Sequence, residues 1–257
     1  VIRIRATAPC TSAADDLAYG ALADAVRATA DLDDVRVIGG HMVGLLLTAF
    51  PVPGLEVRRT ADADAGVSTE VAARDVVHAR LLDRGYATAG GNRLVSGGKT
   101  IDLIVETPYP TARPRTLGTR QFDSTLGLDL ALALPPIVID TTVVHRDGRT
   151  EQLVVREPTV EAATILKSAA AMSRHSAKDL IDLYHLLAIR HEHGAESIGG
   201  WRLDEEPARG HRLDAVRVLR SIGVRDSRFV AAGVRPTDFV ALVREYVAQD
   251  DPDAPGA

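Results

Sequence analysis

Asp62 and Asp64 lie two residues apart in Arg58-Arg59-Thr60-Ala61-Asp62-Ala63-Asp64, and they have the most chemistry to offer. On an extended backbone, side chains at this spacing project from one face. Carboxylates held within about 4–6 Å raise each other's pKa unless a cation sits between them, so a strand-borne pair points to a divalent-metal clamp. The plainer alternative is a solvated acidic turn. Asp102 adds a third acid inside Thr100-Ile101-Asp102-Leu103-Ile104-Val105, a run too apolar for an ordinary exposed edge. A charged Asp there needs a partner, either a salt bridge, a capping bond or a metal. Together the three acids form a carboxylate set from two strands that can hold two hard, oxygen-seeking cations.

Cations stand farther along the chain. Lys167 and Arg174 are seven apart and share a helix face on which both could meet phosphate oxygens. Arg174 alone reads as a snorkelling side chain, whereas Lys167, set among Ile165, Leu166 and Ala169 to Met172, needs a partner such as a triphosphate. Asp179 and Asp182 are helical neighbours of like charge, and Lys178 can pair with Asp182 at i,i+4. His191-Glu192-His193 lacks the paired-histidine spacing of a zinc helix, so His185, His191, His193 and His211 read as surface residues. Trp201 reads as an anchor of the helical part. An arginine-rich run from Arg202 to Arg228 and a group at Arg113, Arg115 and Arg120 read as solvated faces, and would suit an RNA backbone if they lined a cleft.

The elements that must position these residues follow from periodicity. A Thr11-Ser12 start predicts an amphipathic opening helix over 15–30, then a short buried strand at 35–38. Gly39-Gly40 leads into a helix over 41–50, ended by Pro51-Val52-Pro53-Gly54. A helix is expected at 69–84, hairpin strands at 93–95 and 99–106, and an exposed excursion at 109–121. A second hairpin spans 137–145 and 152–155 across Asp147-Gly148. Helices are expected at 159–173, 177–191, 212–222 and 236–248. The fold class is therefore α+β, with an α/β part at 1–156, a helical part at 157–249 and a disordered tail at 250–257.

Composition is compatible with this scheme. The 257 residues are 46% hydrophobic and 25% charged, enough to bury a core. A formal charge of −5 excludes a wholly basic nucleic-acid coat. The single cysteine, Cys10, allows neither an internal disulfide nor a thiolate cluster and reads as a buried or incidental thiol. No run reaches about 18 uninterrupted apolar residues, and no secretory leader pattern opens the chain, so the expectation is a cytoplasmic protein without a membrane segment.

Gly39-Gly40 after a strand, Arg58-x-Thr60-x-Asp62-x-Asp64 and a strand carrying Asp102 resemble, in that order, the nucleotidyltransferase superfamily of the DNA polymerase β type. The stretch Lys167 to Arg174 followed by Lys178-Asp179-x-x-Asp182-Leu183 is similar to the AbiEii branch, which includes toxins of toxin–antitoxin pairs and mycobacterial tRNA-modifying toxins. The resemblance spans roughly 35–187 and departs after the first strand, where this chain has Gly39-Gly40-His41-Met42 and the family usually reads Gly-Gly-Thr-Ala or Gly-Ser. It implies a polymerase-β-like mixed sheet with flanking helices. It also implies an enzyme that moves a nucleoside monophosphate from an NTP to a hydroxyl, aided by two Mg²⁺ ions. By resemblance, Asp62 and Asp64 bind both metals, and Asp102 binds the catalytic one and helps draw the acceptor proton. Gly39 and Gly40 let backbone N–H groups approach the triphosphate, and Arg58, Thr60 and Lys167 bind the nucleotide. Asp179 or Asp182 orients the lysine or the nucleotide. The implied acceptor is the 3′ end of tRNA and the implied partner a cognate antitoxin. An aminoglycoside-like acceptor, or an inactive nucleotide- or partner-binding module, are the alternatives.

Overall fold

The computed structural model describes residues 1–249, so the expected tail at 250–257 lies outside the described residues. The chain opens on a strand, β1 (Ile2–Pro9), which the sequence reading does not anticipate, ahead of the expected helix. Its Ile-Arg-Ile-Arg-Ala-Thr-Ala alternation is a period-two signal that buries Ala6 and Ala8. Helix α1 (Ala13–Ala28) follows, with Ser12 and Asp15 forming a reciprocal capping box.

β2 (Val35–Ile38) runs directly into α2 (Gly39–Ala49), whose first turn has no side-chain cap. After β3 (Ala63–Val67), the predicted helix at 69–84 is two helices, α3 (Thr69–Ala73) and α4 (Val76–Asp83). Asp75 breaks it with a left-handed φ of 57°, a conformation that does not continue an α-helix. Then come β4 (Ala87–Thr88), β5 (Arg93–Ser96) and β6 (Lys99–Glu106). The excursion at 109–121 is partly regular: β7 (Arg115–Leu117) turns at Gly118 into β8 (Arg120–Thr125). A short helix α5 (Leu128–Ala133) precedes the expected hairpin of β9 (Ile137–Val144) and β10 (Thr150–Glu157). Beyond it the described chain is helical: α6 (Val160–Arg174), α7 (Ala177–Glu192), α8 (His211–Ser221), α9 (Arg228–Ala232) and α10 (Pro236–Tyr246).

The result is the expected α+β architecture, with two mixed sheets flanked by helices. The smaller sheet has the order β1-β9-β10, with β1 parallel to β9. The larger has the order β2-β3-β6-β5-β4, and β8 pairs with the far half of β6 and carries β7. β3 and β6 are parallel neighbours in register Asp64↔Asp102, so two of the acids are placed side by side by backbone pairing alone. Thr159 and Ser176 cap α6 and α7, which bring Lys167, Asp179 and Asp182 against α2. The buried apolar residues of the sheet part and the helical part join in one continuous cluster. Trp201, expected as an anchor, is buried in it and donates its indole N–H to the Tyr246 carbonyl at 2.8 Å. Among the described residues, no helix is long and apolar enough to cross a membrane.

Candidate active site

Three carboxylates converge where β2 ends, with oxygens of Asp62, Asp64 and Asp102 within 4.8 Å of one another. Asp62 precedes β3 and accepts a hydrogen bond from the Thr60 hydroxyl at 3.0 Å. Asp64 sits opposite Ile38 on one neighbouring strand and Asp102 on the other, beside the start of α2. Gly39 is bare for a packing reason: a Cβ there would lie 1.8 Å from Asp64 Oδ2, and φ is +73°. At Gly40 a Cβ would lie 2.6 Å from the Thr60 hydroxyl oxygen. Both glycines thus let the acid-bearing segment press against the helix N-terminus.

Electrostatically the cluster is under strain. Burial, followed by repulsion from Asp62 and Asp102, pushes the Asp64 carboxyl up to about 7, although Lys167 and Arg174 pull it down. Asp102 has a partner of its own. Arg93, its cross-strand neighbour, donates Nε to Oδ1 at 2.9 Å and Nη2 to Oδ2 at 2.6 Å. The Arg93 side chain is 52% exposed, which leaves it room to turn away from the acid.

The acids line a cavity of about 670 Å³ together with Gly39, Gly40 and Lys167. Lys167, 4% exposed, directs Nζ at Asp182 Oδ2, 2.7 Å away, with Asp179 Oδ1 at 3.9 Å. Asp182 also accepts both arms of the Arg58 fork, at 2.9 and 3.0 Å. Burial would raise Asp182, but Lys167 and Arg58 together hold it below the ordinary carboxylate range. Asp182 does not line the cavity; it sits behind Lys167 and Arg58 and fixes them. Asp179 does line it. Its Oδ1 accepts from Arg174 at 2.9 Å, and its buried Oδ2 has no hydrogen-bond partner among the described residues.

A second, more apolar cavity of about 590 Å³ shares Gly39, Asp64, Lys167 and Arg174 with the first and extends past Leu166 and Met172. A third, of about 400 Å³, lies on the Gly40 side and contains His41. His41 is buried, its Nε2 is 3.2 Å from the Ala18 carbonyl oxygen, and burial lowers its pKa to about 4. His41 therefore faces the third cavity as a neutral imidazole.

Other sequence expectations are revised. His185 is buried, not a surface residue. In the arginine-rich run, Arg202 and Arg212 are held by Glu205 and Glu161, Arg228 by Asp226, and Arg220 by the carbonyls of Val247 and Ala248. Arg212, Arg220 and Arg228 therefore brace the helical part, whereas Arg202, 60% exposed, stays on the solvated face that the sequence predicts. The sequence reading also missed Arg93, whose only signal was its position opposite an acid in a predicted hairpin.

No known family profile matches the sequence, and no curated protein matches it. Among solved structures, the chain is similar to the antibiotic-resistance factor ANT(2'')-Ia, at 13% identity over 70% of this chain and 85% of that one, with a TM-score of 0.39. It is also similar to an antigenic nucleotidyltransferase-like protein from Paracoccidioides brasiliensis, at 14% identity over 89% of this chain and 93% of that one, with a TM-score of 0.44.

Proposed function

We propose that this chain is a metal-dependent nucleotidyltransferase that moves a nucleoside monophosphate from an NTP to a hydroxyl acceptor. The observation that carries the reading is the convergence of Asp62, Asp64 and Asp102 within 4.8 Å, on the wall of a cavity that also holds Lys167 and the start of α2. The donor set fits Mg²⁺. It is all oxygen, and the burial and repulsion that raise the Asp64 carboxyl to about 7 are what a divalent cation offsets. When bound, two magnesium ions neutralise the triphosphate and lower the pKa of the acceptor hydroxyl.

The chain's own residues do the rest. Asp62, Asp64 and Asp102 would hold the ions, with Arg93 competing for the Asp102 oxygens. The uncapped N–H groups at the start of α2 receive phosphate oxygens, which the helix dipole favours. Lys167, aimed by Asp182, donates to the same triphosphate, and Thr60 keeps Asp62 in place. Arg58 borders the cavity with its fork fixed by Asp182, and Asp179 holds Arg174 at the cavity wall. By the resemblance, Asp102 would help draw the proton from the acceptor hydroxyl.

The resemblance carried by Lys167 to Leu183 extends this reading to an AbiEii-type toxin acting in the cytoplasm on the 3′ end of tRNA, restrained by a cognate antitoxin. Incubation with Mg²⁺, labelled NTPs and total tRNA tests it. Labelled RNA is the expected product, and it is abolished by Asp62→Ala and by Asp64→Ala. A labelled aminoglycoside would move the acceptor to a small molecule, and absence of any labelled product would overturn the transferase reading.

A further inference from the structure

A second constellation lies on the smaller sheet, away from the carboxylate cluster. Cys10 is the first residue after β1 and His145 the first after β9. Because these strands are parallel with Pro9 opposite Val144, the two residues emerge side by side. The Cys10 N–H donates to the Val144 carbonyl at 2.8 Å, which locks that juxtaposition. Asp16, in the first turn of α1, completes the group: Cys10 Sγ, an Asp16 carboxylate oxygen and a His145 ring nitrogen all lie within 4.8 Å of one another. His145 Nδ1 is 3.2 Å from Asp16 Oδ1.

The surroundings are those of a ligand set. His145 Nε2 lies 3.2 Å from Glu151 Oε2, and Glu151 is itself held by Arg27. A histidine that ligates through one ring nitrogen characteristically donates its other N–H to such a carboxylate, which fixes the tautomer. The Arg146 backbone N–H donates to Asp16 at 3.3 Å. Cys10 and His145 are buried, while the Asp16 side chain is 31% exposed and leaves the group open to water on one side. Thiolate, imidazole and carboxylate together match a borderline-soft ion such as Zn²⁺, and not magnesium.

We propose that Cys10, Asp16 and His145 form a second metal site, for a zinc-like divalent ion whose fourth ligand is water. Binding releases the Cys10 thiol proton and any proton on His145 Nδ1. The charges close: the thiolate and Asp16 balance the ion, and Arg27 balances Glu151. Its role is to clamp the turn between β1 and α1. Thr11 in that turn accepts a hydrogen bond from Arg59 at 2.6 Å, and Ser12 and Asp15 line the carboxylate cavity. The clamp therefore stiffens one wall of the candidate active site.

The test is cobalt titration of the metal-stripped full chain, which reads the site without any turnover. One equivalent of Co²⁺ is expected to give a sulfur-to-cobalt charge-transfer band. Zn²⁺ should abolish that band, excess Mg²⁺ should leave it, and Asp62→Ala should not change it. Cys10→Ser is expected to remove the band. Glu151→Gln, which keeps all three ligands, is expected to weaken Co²⁺ binding roughly 10- to 100-fold while preserving the band. No band in the wild type, or a band unchanged in Cys10→Ser, would overturn the site, whatever the transfer assay shows. Unchanged Co²⁺ affinity in Glu151→Gln would likewise count against it.

Discussion

Replacing Asp64 by Asn should make the protein more stable while abolishing transfer. In the folded chain the Asp64 carboxyl is raised to about 7 from its ordinary value of 3.8, first by burial and then by Asp62 and Asp102. Folding therefore favours the protonated acid. The stability that this contributes is fully present below the unfolded value and is lost progressively as pH rises towards about 7. Roughly three pKa units at about 1.4 kcal/mol each give a penalty of ~4 kcal/mol above neutrality. Asn keeps the shape and removes the ionisation. Urea denaturation should find Asp64→Asn more stable than wild type, with the gap growing by about 2.5 kcal/mol between pH 5 and pH 8. Mg²⁺ should narrow the gap at the higher pH by stabilising wild type alone, by about 2.7 kcal/mol at a hundredfold excess over its dissociation constant. A pH-independent gap, or equal stabilisation of both proteins by Mg²⁺, would refute the account of Asp64 as a strained metal ligand.

Other perturbations probe separate contacts. Arg93→Ala frees both oxygens of Asp102, and losing a half-exposed ion pair worth about 1 kcal/mol should tighten Mg²⁺ binding roughly fivefold by calorimetry; unchanged affinity would show that Arg93 does not compete with the metal. Asp182→Ala leaves Lys167 and Arg58 without their shared anion, so denaturant titration should register a loss of about 3 kcal/mol or more, and wild-type stability would contradict the buried network. Glu157 is fully buried, with neither oxygen partnered among the described residues, and burial pushes its carboxyl well up. Glu157→Gln should therefore raise the melting temperature at pH 8 more than at pH 5, whereas equal shifts would mean that the acid ionises freely in place. Lys167→Ala should lower the rate of transfer through poorer triphosphate positioning, and unaltered kinetics with every NTP would make this lysine purely structural.

Much of this architecture is legible in local pattern. The β5–β6 and β9–β10 hairpins, α2 beginning at Gly39-Gly40, and the helices after residue 160 all announce themselves by periodicity and breakers. β1 carried the same alternation, but its partner β9 lies more than a hundred residues away, and short-range signals do not report such pairing. The break at Asp75 was hidden for the opposite reason. Apolar spacing continues through it, and only the left-handed backbone ends the helix. At the candidate site, Asp62 and Asp64 are visible by their two-residue spacing, and Asp102 and Lys167 because a charge sits oddly in an apolar run.

What the sequence determined by itself was which side chains needed partners: an acid inside an apolar strand and a lysine inside an apolar helix cannot be buried alone. Which partners they take was decided by tertiary structure. The parallel register sets Asp102 beside Asp64, a hairpin delivers Arg93 to the same acid, and α7 turns Asp182 inward to Lys167 and Arg58 while leaving Asp179 at the cavity. Cys10 and His145 meet only because two strands far apart in sequence end at the same level. Burial and charge fix the need within a few neighbouring residues, whereas the choice of partner depends on backbone pairing across the whole chain.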